Sequence, residues 1–106
     1  MAYRNISMFR GDTLSFGMEI EGLDQSLDSA YFTCKKSPDD AAPVFQKSLA
    51  SGISEVSTGV YRIRVAPEDT EEVPVGKYFY DFEIGVNDDV FTILNGILDI
   101  KQDVTN

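Results

Sequence analysis

Acidic clusters are the first residues in this sequence whose type and spacing suggest chemistry. They are Asp39-Asp40, the run Glu68-Asp69-Thr70-Glu71-Glu72, and Asp88-Asp89. Carboxylates bind calcium, and pairs of them hydrolyse glycosides. Their spacing matches no known calcium loop, and one small domain offers no substrate cleft of fixed geometry. We interpret them as solvated loop carboxylates, and the alternative is a calcium site formed by the first two clusters with Asp12.

A single thiol and an Arg-Gly-Asp tripeptide also have structural interpretations. Cys34 falls on the apolar side of an alternating segment, where a cysteine acts as a small hydrophobe; the alternative is a reactive thiol. The tripeptide at residues 10–12 leads directly through Thr13 into an apolar pattern, and the alternative to a turn there is an integrin-binding loop. We predict a tight turn in which Gly11 takes unusual dihedral angles and Asp12 bonds nearby backbone amides.

The composition of the 106-residue chain excludes the common catalytic sets. There is no histidine, so His-dependent triads and His-ligated zinc are excluded, and one cysteine excludes an internal disulfide. No phosphate-binding glycine loop is present, and no apolar run is long enough to span a membrane. We expect one domain over residues 1–106, no enzymatic activity, no cofactor and no metal. The N-terminal residues lack the apolar stretch of a signal peptide.

The net charge of −9 is concentrated towards the C-terminus. Residues 1–65 carry seven basic and eight acidic side chains, whereas residues 66–106 carry two basic and ten acidic ones. Such a surface repels phosphate, so we predict neither nucleic acid nor membrane as a partner. The candidate acidic docking surface, for a basic region of another protein, consists of Glu68, Asp69, Glu71, Glu72, Asp81 and Glu83. The alternative is an acidic surface that only aids solubility.

The elements that must position these residues are strands, because apolar residues recur at every second position. This alternation is typical of antiparallel strands with one buried face, and turn residues separate the segments. We predict strands at 3–9, 13–21, 29–36, 43–48, 52–56, 60–66, 76–85 and 90–101, with one helical turn from Pro67 that ends before Pro74. In the last strand we place Leu94, Leu98 and Ile100 inward. Seven or eight short antiparallel strands indicate an immunoglobulin-like β-sandwich.

The segment from Pro74 to Tyr80 predicts a structural corner. Immunoglobulin-type domains carry a tyrosine where the second-to-last strand begins, and its hydroxyl bonds backbone a few residues upstream. Gly76 would allow the sharp entry into the strand, and Tyr78 would be the corner residue. The alternative is that Tyr78 is a core aromatic whose hydroxyl reaches water.

Several of these segments together resemble small immunoglobulin-like domains of bacteriophage tails and baseplates, in particular the N-terminal domain of BppU-like baseplate proteins. The segments are Arg10-Gly11-Asp12-Thr13, Phe32-Thr33-Cys34-Lys35-Lys36-Ser37, Phe45-Gln46-Lys47, Tyr61 to Thr70, Val75 to Asp81 and Asn95 to Ile100. The resemblance covers nearly the whole chain and carries no catalytic residues. It implies a structural or assembly protein of a phage or prophage particle, made in the bacterial cytoplasm and carried in the virion.

Two functions from different classes therefore stand as expectations. The first is docking to other phage particle proteins, with self-association left open. The second is a module that binds carbohydrate or another cell-surface ligand through exposed aromatic residues on one concave face. The candidates for that face are Tyr31, Phe79 and Phe91.

Overall fold

Nine strands and one helical turn account for most of residues 2–104, the part of the chain that the computed structural model describes. In chain order the elements are β1 (Ala2–Tyr3), β2 (Ile6–Phe9), β3 (Leu14–Glu19), β4 (Ser29–Lys35), β5 (Phe45–Leu49), β6 (Gly52–Ser57), β7 (Val60–Val65), α1 (Pro67–Thr70), β8 (Gly76–Val86) and β9 (Asp89–Lys101). Seven of the eight predicted strands are present, with ends within two residues of the predicted ones, and the first, 3–9, is divided into β1 and β2. The chain positions 1, 105 and 106 of the predicted domain lie outside the described residues.

The strands form one curled sheet that closes into a sandwich. Its order is β1-β9-β8-β4-β5-β6-β7-β3, and β2 also pairs with β9. The sheet turns between β5 and β6, where Ala50 has φ 65° and Gly52 has φ 105°. We call β1, β2, β9, β8, β4 and β5 the front half, and β6, β7 and β3 the back half. Phe16 of the back half contacts Phe32 of the front half, with ring centroids 5.8 Å apart, although their strands are not neighbours in the sheet.

The core lies between the two halves and follows the predicted alternation. The fully buried side chains include Phe32 and Phe82 from the front half and Tyr61 and Ile63 from the back half. The predicted inward residues of the last strand are all buried, and they are Leu94, Leu98 and Ile100. Burial of large apolar side chains from both layers is the main stabilising contribution in a domain of this size.

Two details differ from the sequence prediction. The segment 3–9 is not one strand, because its regular pairing with β9 is interrupted at Arg4-Asn5, where the Arg4 amide donates to the Asn95 carbonyl oxygen at 2.8 Å and the Asn5 side chain accepts the Ile97 amide at 3.2 Å. Gly96 explains the interruption: a Cβ there would lie 2.0 Å from the Arg4 carbonyl oxygen, so the N-terminal segment crosses directly over the glycine. The sheet is also not wholly antiparallel, since β1 and β2 run parallel to β9, and β5 runs parallel to β6 for two residue pairs.

The predicted helical turn spans Pro67–Thr70 and is fixed by its own residues. Proline at the first position suits a helix start, and the Asp69 carboxylate accepts the Ala66 amide at 2.7 Å. Thr70 is fully buried, and its hydroxyl accepts the Gly11 amide at 2.9 Å. The turn therefore ties the end of β7 to the loop between β2 and β3.

Candidate functional site

The predicted corner residue Tyr78 is buried at the start of β8. Its hydroxyl donates to the Pro74 carbonyl oxygen at 2.5 Å, four residues upstream. Gly76 has φ 146°, a conformation that favours glycine, and it lets the chain enter the strand sharply. The Lys36 ammonium lies 4.8 Å from the centre of the Tyr78 ring. Burial raises the pKa of the Tyr78 hydroxyl, so it remains a donor across the neutral range.

Two further tyrosines anchor loops in the same way, a role that was not predicted for them from the sequence. The Tyr80 hydroxyl donates to the Arg4 carbonyl oxygen at 2.6 Å. The Tyr61 hydroxyl accepts the Leu27 amide at 2.9 Å and donates to the Glu55 carboxylate at 3.2 Å. The sequence signal was available, because a tyrosine at an inward position needs a partner for its hydroxyl.

The segment Gly11–Thr13 forms a turn between β2 and β3. Gly11 has φ 82°, and the Asp12 amide donates to the Phe9 carbonyl oxygen at 3.1 Å. The Asp12 carboxylate is exposed and makes no hydrogen bond within the described part of the chain, in contrast to the predicted side-chain role. The backbone of the turn is held instead by Gly11 and the buried Thr70.

The six residues of the candidate acidic docking surface lie in three different places. Glu68, Glu71 and Glu72 are exposed around the helical turn. Asp69 points inward, where its carboxylate lies 2.8 Å from the Lys47 ammonium, with side chains only 17% and 14% exposed. The remaining two, which are Asp81 and Glu83, are half-buried on the outer side of β8.

The outer side of the front half carries a shallow depression of about 890 Å³, which we call the outer groove. Three exposed aromatic side chains line it, namely Tyr3 at 67% exposure, Phe79 at 42% and Tyr31 at 37%. Pro38 and Pro43, from the loop between β4 and β5, line it as well. The structure thus brings together two of the aromatic residues predicted for a ligand-binding face.

A row of polar residues crosses the centre of the outer groove, one from each neighbouring strand. In register order these are Gln46, Thr33, Asp81, Asn95 and Tyr3. The Gln46 amide donates to the Thr33 hydroxyl at 2.9 Å. The Asn95 side-chain oxygen is buried and has no hydrogen-bond partner among the described residues. Asn95 was not among the site residues predicted from the sequence, although it stands out as an uncharged polar side chain in the apolar run of the last strand.

The electrostatics of the outer groove centre on Asp81. Burial raises the pKa of its carboxyl, and the nearby Lys35 charge partly offsets that effect. Within the described residues, no basic nitrogen lies within 4 Å of the Asp81 carboxylate. Glu83 lines the same groove, so two carboxylates and one ammonium face a ligand there. The arrangement offers hydrogen-bond acceptors beside aromatic rings.

The other candidates do not join the outer groove. Cys34 is fully buried in the core, where burial raises the pKa of its thiol to about 12 and makes it unreactive near neutral pH. Phe91 is exposed on β9 but does not line the groove. Within residues 2–104, no three acidic or cysteine side chains come together as metal ligands. No helix in the same range is long and apolar enough to cross a membrane.

Comparison with known proteins identifies the fold of the chain but not a family. No family model matches the chain, and no curated protein sequence matches it. Among solved structures, it is similar to the extracellular domain of the voltage-gated sodium channel beta4 subunit, with a TM-score of 0.51 at 14% sequence identity. That match covers 96% of this chain and 93% of the other. The fold is immunoglobulin-like.

The beta4 domain is described as forming parallel homodimers that explain a role in cell–cell adhesion. A likeness at this level of identity concerns the fold alone. It confirms the predicted fold class, an all-β immunoglobulin-like sandwich, with nine strands in a mixed sheet instead of seven or eight antiparallel ones.

Proposed function

We propose that this protein is a non-catalytic docking domain of a phage or prophage particle, and that it binds another particle protein through the outer groove. The observation that carries the proposal is the cluster of Tyr3, Tyr31 and Phe79 on one sheet face. Aromatic residues are enriched in protein interfaces, where they supply much of the binding energy. Carboxylates beside them favour a partner with a basic surface.

The placement in a phage particle rests on the sequence resemblance to tail and baseplate domains. Synthesis in a reducing bacterial cytoplasm agrees with a single cysteine that is buried as a thiol. A second copy of the chain is a further partner to consider, since a structurally similar domain is described as a homodimer. The net charge of −9 opposes face-to-face pairing of two copies, which favours a different, basic protein.

A binding site for carbohydrate is the second candidate function, and a specific observation favours it. The outer groove combines the rings of Tyr31 and Phe79 with Asp81, Asn95 and Gln46. Aromatic faces contact the apolar side of a sugar ring, and carboxylate and amide groups bond its hydroxyls. Phe91 would take no part in that site, since it lies outside the groove.

Co-expression with the tail proteins encoded by neighbouring genes tests the docking function. The protein would be purified with each of them and the stoichiometry measured by size exclusion with light scattering. We expect a complex that Tyr31→Arg abolishes, because a long cationic side chain blocks the groove. The matched control is Ser54→Arg, an exposed position on β6 in the back half. Retention of the complex by Tyr31→Arg, or no complex with any tail protein, would contradict the proposal.

A further inference from the structure

We propose that the outer groove binds an arginine side chain of its protein partner, with the guanidinium held by Asp81 and Asn95 and covered by Phe79 and Tyr31. This inference rests on the proposed docking function and names the chemistry of the partner. It follows from the acceptors, the rings and the charge balance of the groove.

Two acceptors without partners lie side by side at the centre of the outer groove. Asp81 of β8 and Asn95 of β9 are directly paired in the sheet, so their side chains project from neighbouring positions on the same face. The Asn95 oxygen is buried without a hydrogen bond, so the Asn95 side chain must turn towards the groove for that oxygen to meet a ligand. The Asp81 carboxylate is half-buried without an ion pair in the described residues. Buried acceptors of this kind destabilise a protein until a donor reaches them.

A guanidinium fits these acceptors better than an ammonium does. It is planar and presents several N–H donors in a fixed fork, so one group donates to two neighbouring oxygens at once. An ammonium is a compact and strongly hydrated charge, and it loses more hydration in a half-buried groove. The burial that raises the pKa of Asp81 also strengthens its attraction for a cation that excludes water.

Aromatic rings border the acceptor pair on both sides along the strands. Phe79 precedes Asp81 by two positions on β8, and Tyr31 precedes Thr33, the β4 partner of Asp81, by two positions. Because β4 and β8 are antiparallel, the two rings lie on opposite sides of the polar row. Flat guanidinium faces stack on aromatic rings, where they gain cation–π attraction.

Lys35 sets the affinity of the outer groove for cations. It pairs with Phe79 in the sheet and is the basic residue among those that line the groove. Its ammonium repels an incoming guanidinium, whereas Glu83 attracts it. Removing the Lys35 charge should therefore raise the affinity, and removing the Glu83 charge should lower it. An aromatic surface that binds without regard to charge would show neither change.

The test uses N-acetyl-arginine methylamide, which carries the guanidinium as its only charge, titrated into ¹⁵N-labelled protein at constant ionic strength. We expect saturable amide shifts at Phe79, Asp81 and Asn95. Asp81→Asn should weaken binding about tenfold, and Lys35→Gln should strengthen it roughly threefold. The matched control is Glu19→Gln, which removes the same charge from an exposed site on β3 in the back half and should leave the affinity unchanged. Asp81 is half-buried and unpaired, so its replacement should leave the fold intact.

Two related probes decide the chemistry. The citrulline analogue has the shape of the arginine probe without its charge, and the lysine analogue has the charge without the planar set of N–H donors. Both analogues should bind at least fivefold more weakly than the arginine probe. Equal binding of the citrulline analogue would overturn the inference, as would the absence of saturable groove shifts up to about 50 mM probe. Groove shifts with neutral methyl glycosides in place of the arginine probe would overturn it in favour of the carbohydrate site.

Failure of this inference is distinguishable from failure of the docking function. If Tyr31→Arg abolishes the complex with a tail protein but Asp81→Asn does not weaken it, the outer groove docks a protein without an arginine anchor. If neither variant changes the complex, the docking surface lies elsewhere.

Discussion

The Phe16 ring meets the Phe32 ring edge-on, at an interplanar angle of 71°, and this contact joins β3 of the back half to β4 of the front half, which are separated in the sheet by β5, β6 and β7. Phe32 also packs against Tyr80 of the front half, with ring centroids 5.2 Å apart. A curled sheet without such contacts would remain open. Phe32 therefore contacts aromatic rings of both layers and helps to hold the layers together.

Truncation of the core aromatics should remove most of the stability. Phe32→Ala and Phe82→Ala are each expected to lower the free energy of unfolding by about 3–5 kcal/mol, because both side chains are fully buried. Phe79→Ala is the matched control on the exposed side of β8, and it should cost less than about 1 kcal/mol. Urea denaturation measures all three. Small losses in both core variants would mean that the strand faces are assigned wrongly.

Loss of the Tyr78 hydroxyl should destabilise the corner. Tyr78→Phe keeps the ring in the core but leaves the Pro74 carbonyl oxygen without its donor, so we expect a cost of roughly 1–3 kcal/mol. Tyr31→Phe removes the same hydroxyl from an exposed ring and should leave the denaturation midpoint unchanged. If both variants unfold at the wild-type midpoint, the corner bond contributes nothing measurable.

The helical turn offers a contrast between two adjacent acidic residues. Asp69 contacts both the Lys47 ammonium and the Ala66 amide, whereas Glu68 is exposed. Asp69→Asn should lower the stability by roughly 1.5–3 kcal/mol, since it weakens charge-assisted hydrogen bonds, and Glu68→Gln should change it by less than about 0.5 kcal/mol. Thermal unfolding of the two variants compares them directly. An equal effect would mean that the inward position of Asp69 has no energetic consequence.

The strands were predictable from sequence because alternation reports burial directly. The core positions Phe32, Phe82 and Leu98 follow from period two, and the corner follows from Gly76 and Tyr78. The break at Arg4-Asn5 was not predictable, because it depends on Gly96, which is distant in sequence but adjacent across the sheet edge. The pattern of neighbouring residues in the sequence does not indicate which distant segments lie against each other.

The candidate site was less predictable than the fold for the same reason. Tyr31 and Phe79 were recognisable as outward aromatics, but their junction with Tyr3 and Asn95 depends on the parallel pairing of β1 with β9. Asp69 and Asp81 look alike in sequence. Their roles separate only when the sheet places one beside Lys47 and the other in the outer groove.

The buried thiol gives a prediction for alkaline pH. The pKa of Cys34 is raised to about 12 in the folded protein, against about 8.5 in an unfolded chain. The unfolded chain therefore releases the thiol proton at a lower pH than the folded protein does. The contribution of the neutral thiol to the free energy of unfolding is fully present below about pH 8.5, and it falls by up to about 1.4 kcal/mol per pH unit as the pH rises towards 12. Denaturation at pH 7.5, 8.5 and 9.5 compares the protein with Cys34→Ala, which lacks the thiol. Parallel stability curves would contradict the assignment, since the tyrosines are common to both proteins and their ionisation cancels in the comparison.

The exposed carboxylates of the helical turn and the half-buried carboxylate of the outer groove should act on different steps of partner binding. Glu68, Glu71 and Glu72 lie free at the surface, where charges attract a basic partner over distance and so raise the association rate. Replacing all three with Gln should slow association and leave both the dissociation rate and the fold unchanged.

Asp81→Asn should have the converse effect, because a desolvated contact is lost only after the complex forms; dissociation should become faster with little change in association. Surface plasmon resonance with the tail protein identified by co-expression measures both rates from about 50 to about 500 mM salt. Over this range the Debye screening length falls from more than about 10 Å to less than about 5 Å. The association rate of the wild type should fall steeply across it, and that of the triple variant should fall less. If the association rate of the wild type does not change with salt, the charge of residues 66–106 serves only solubility, and partner binding at the groove does not depend on charge.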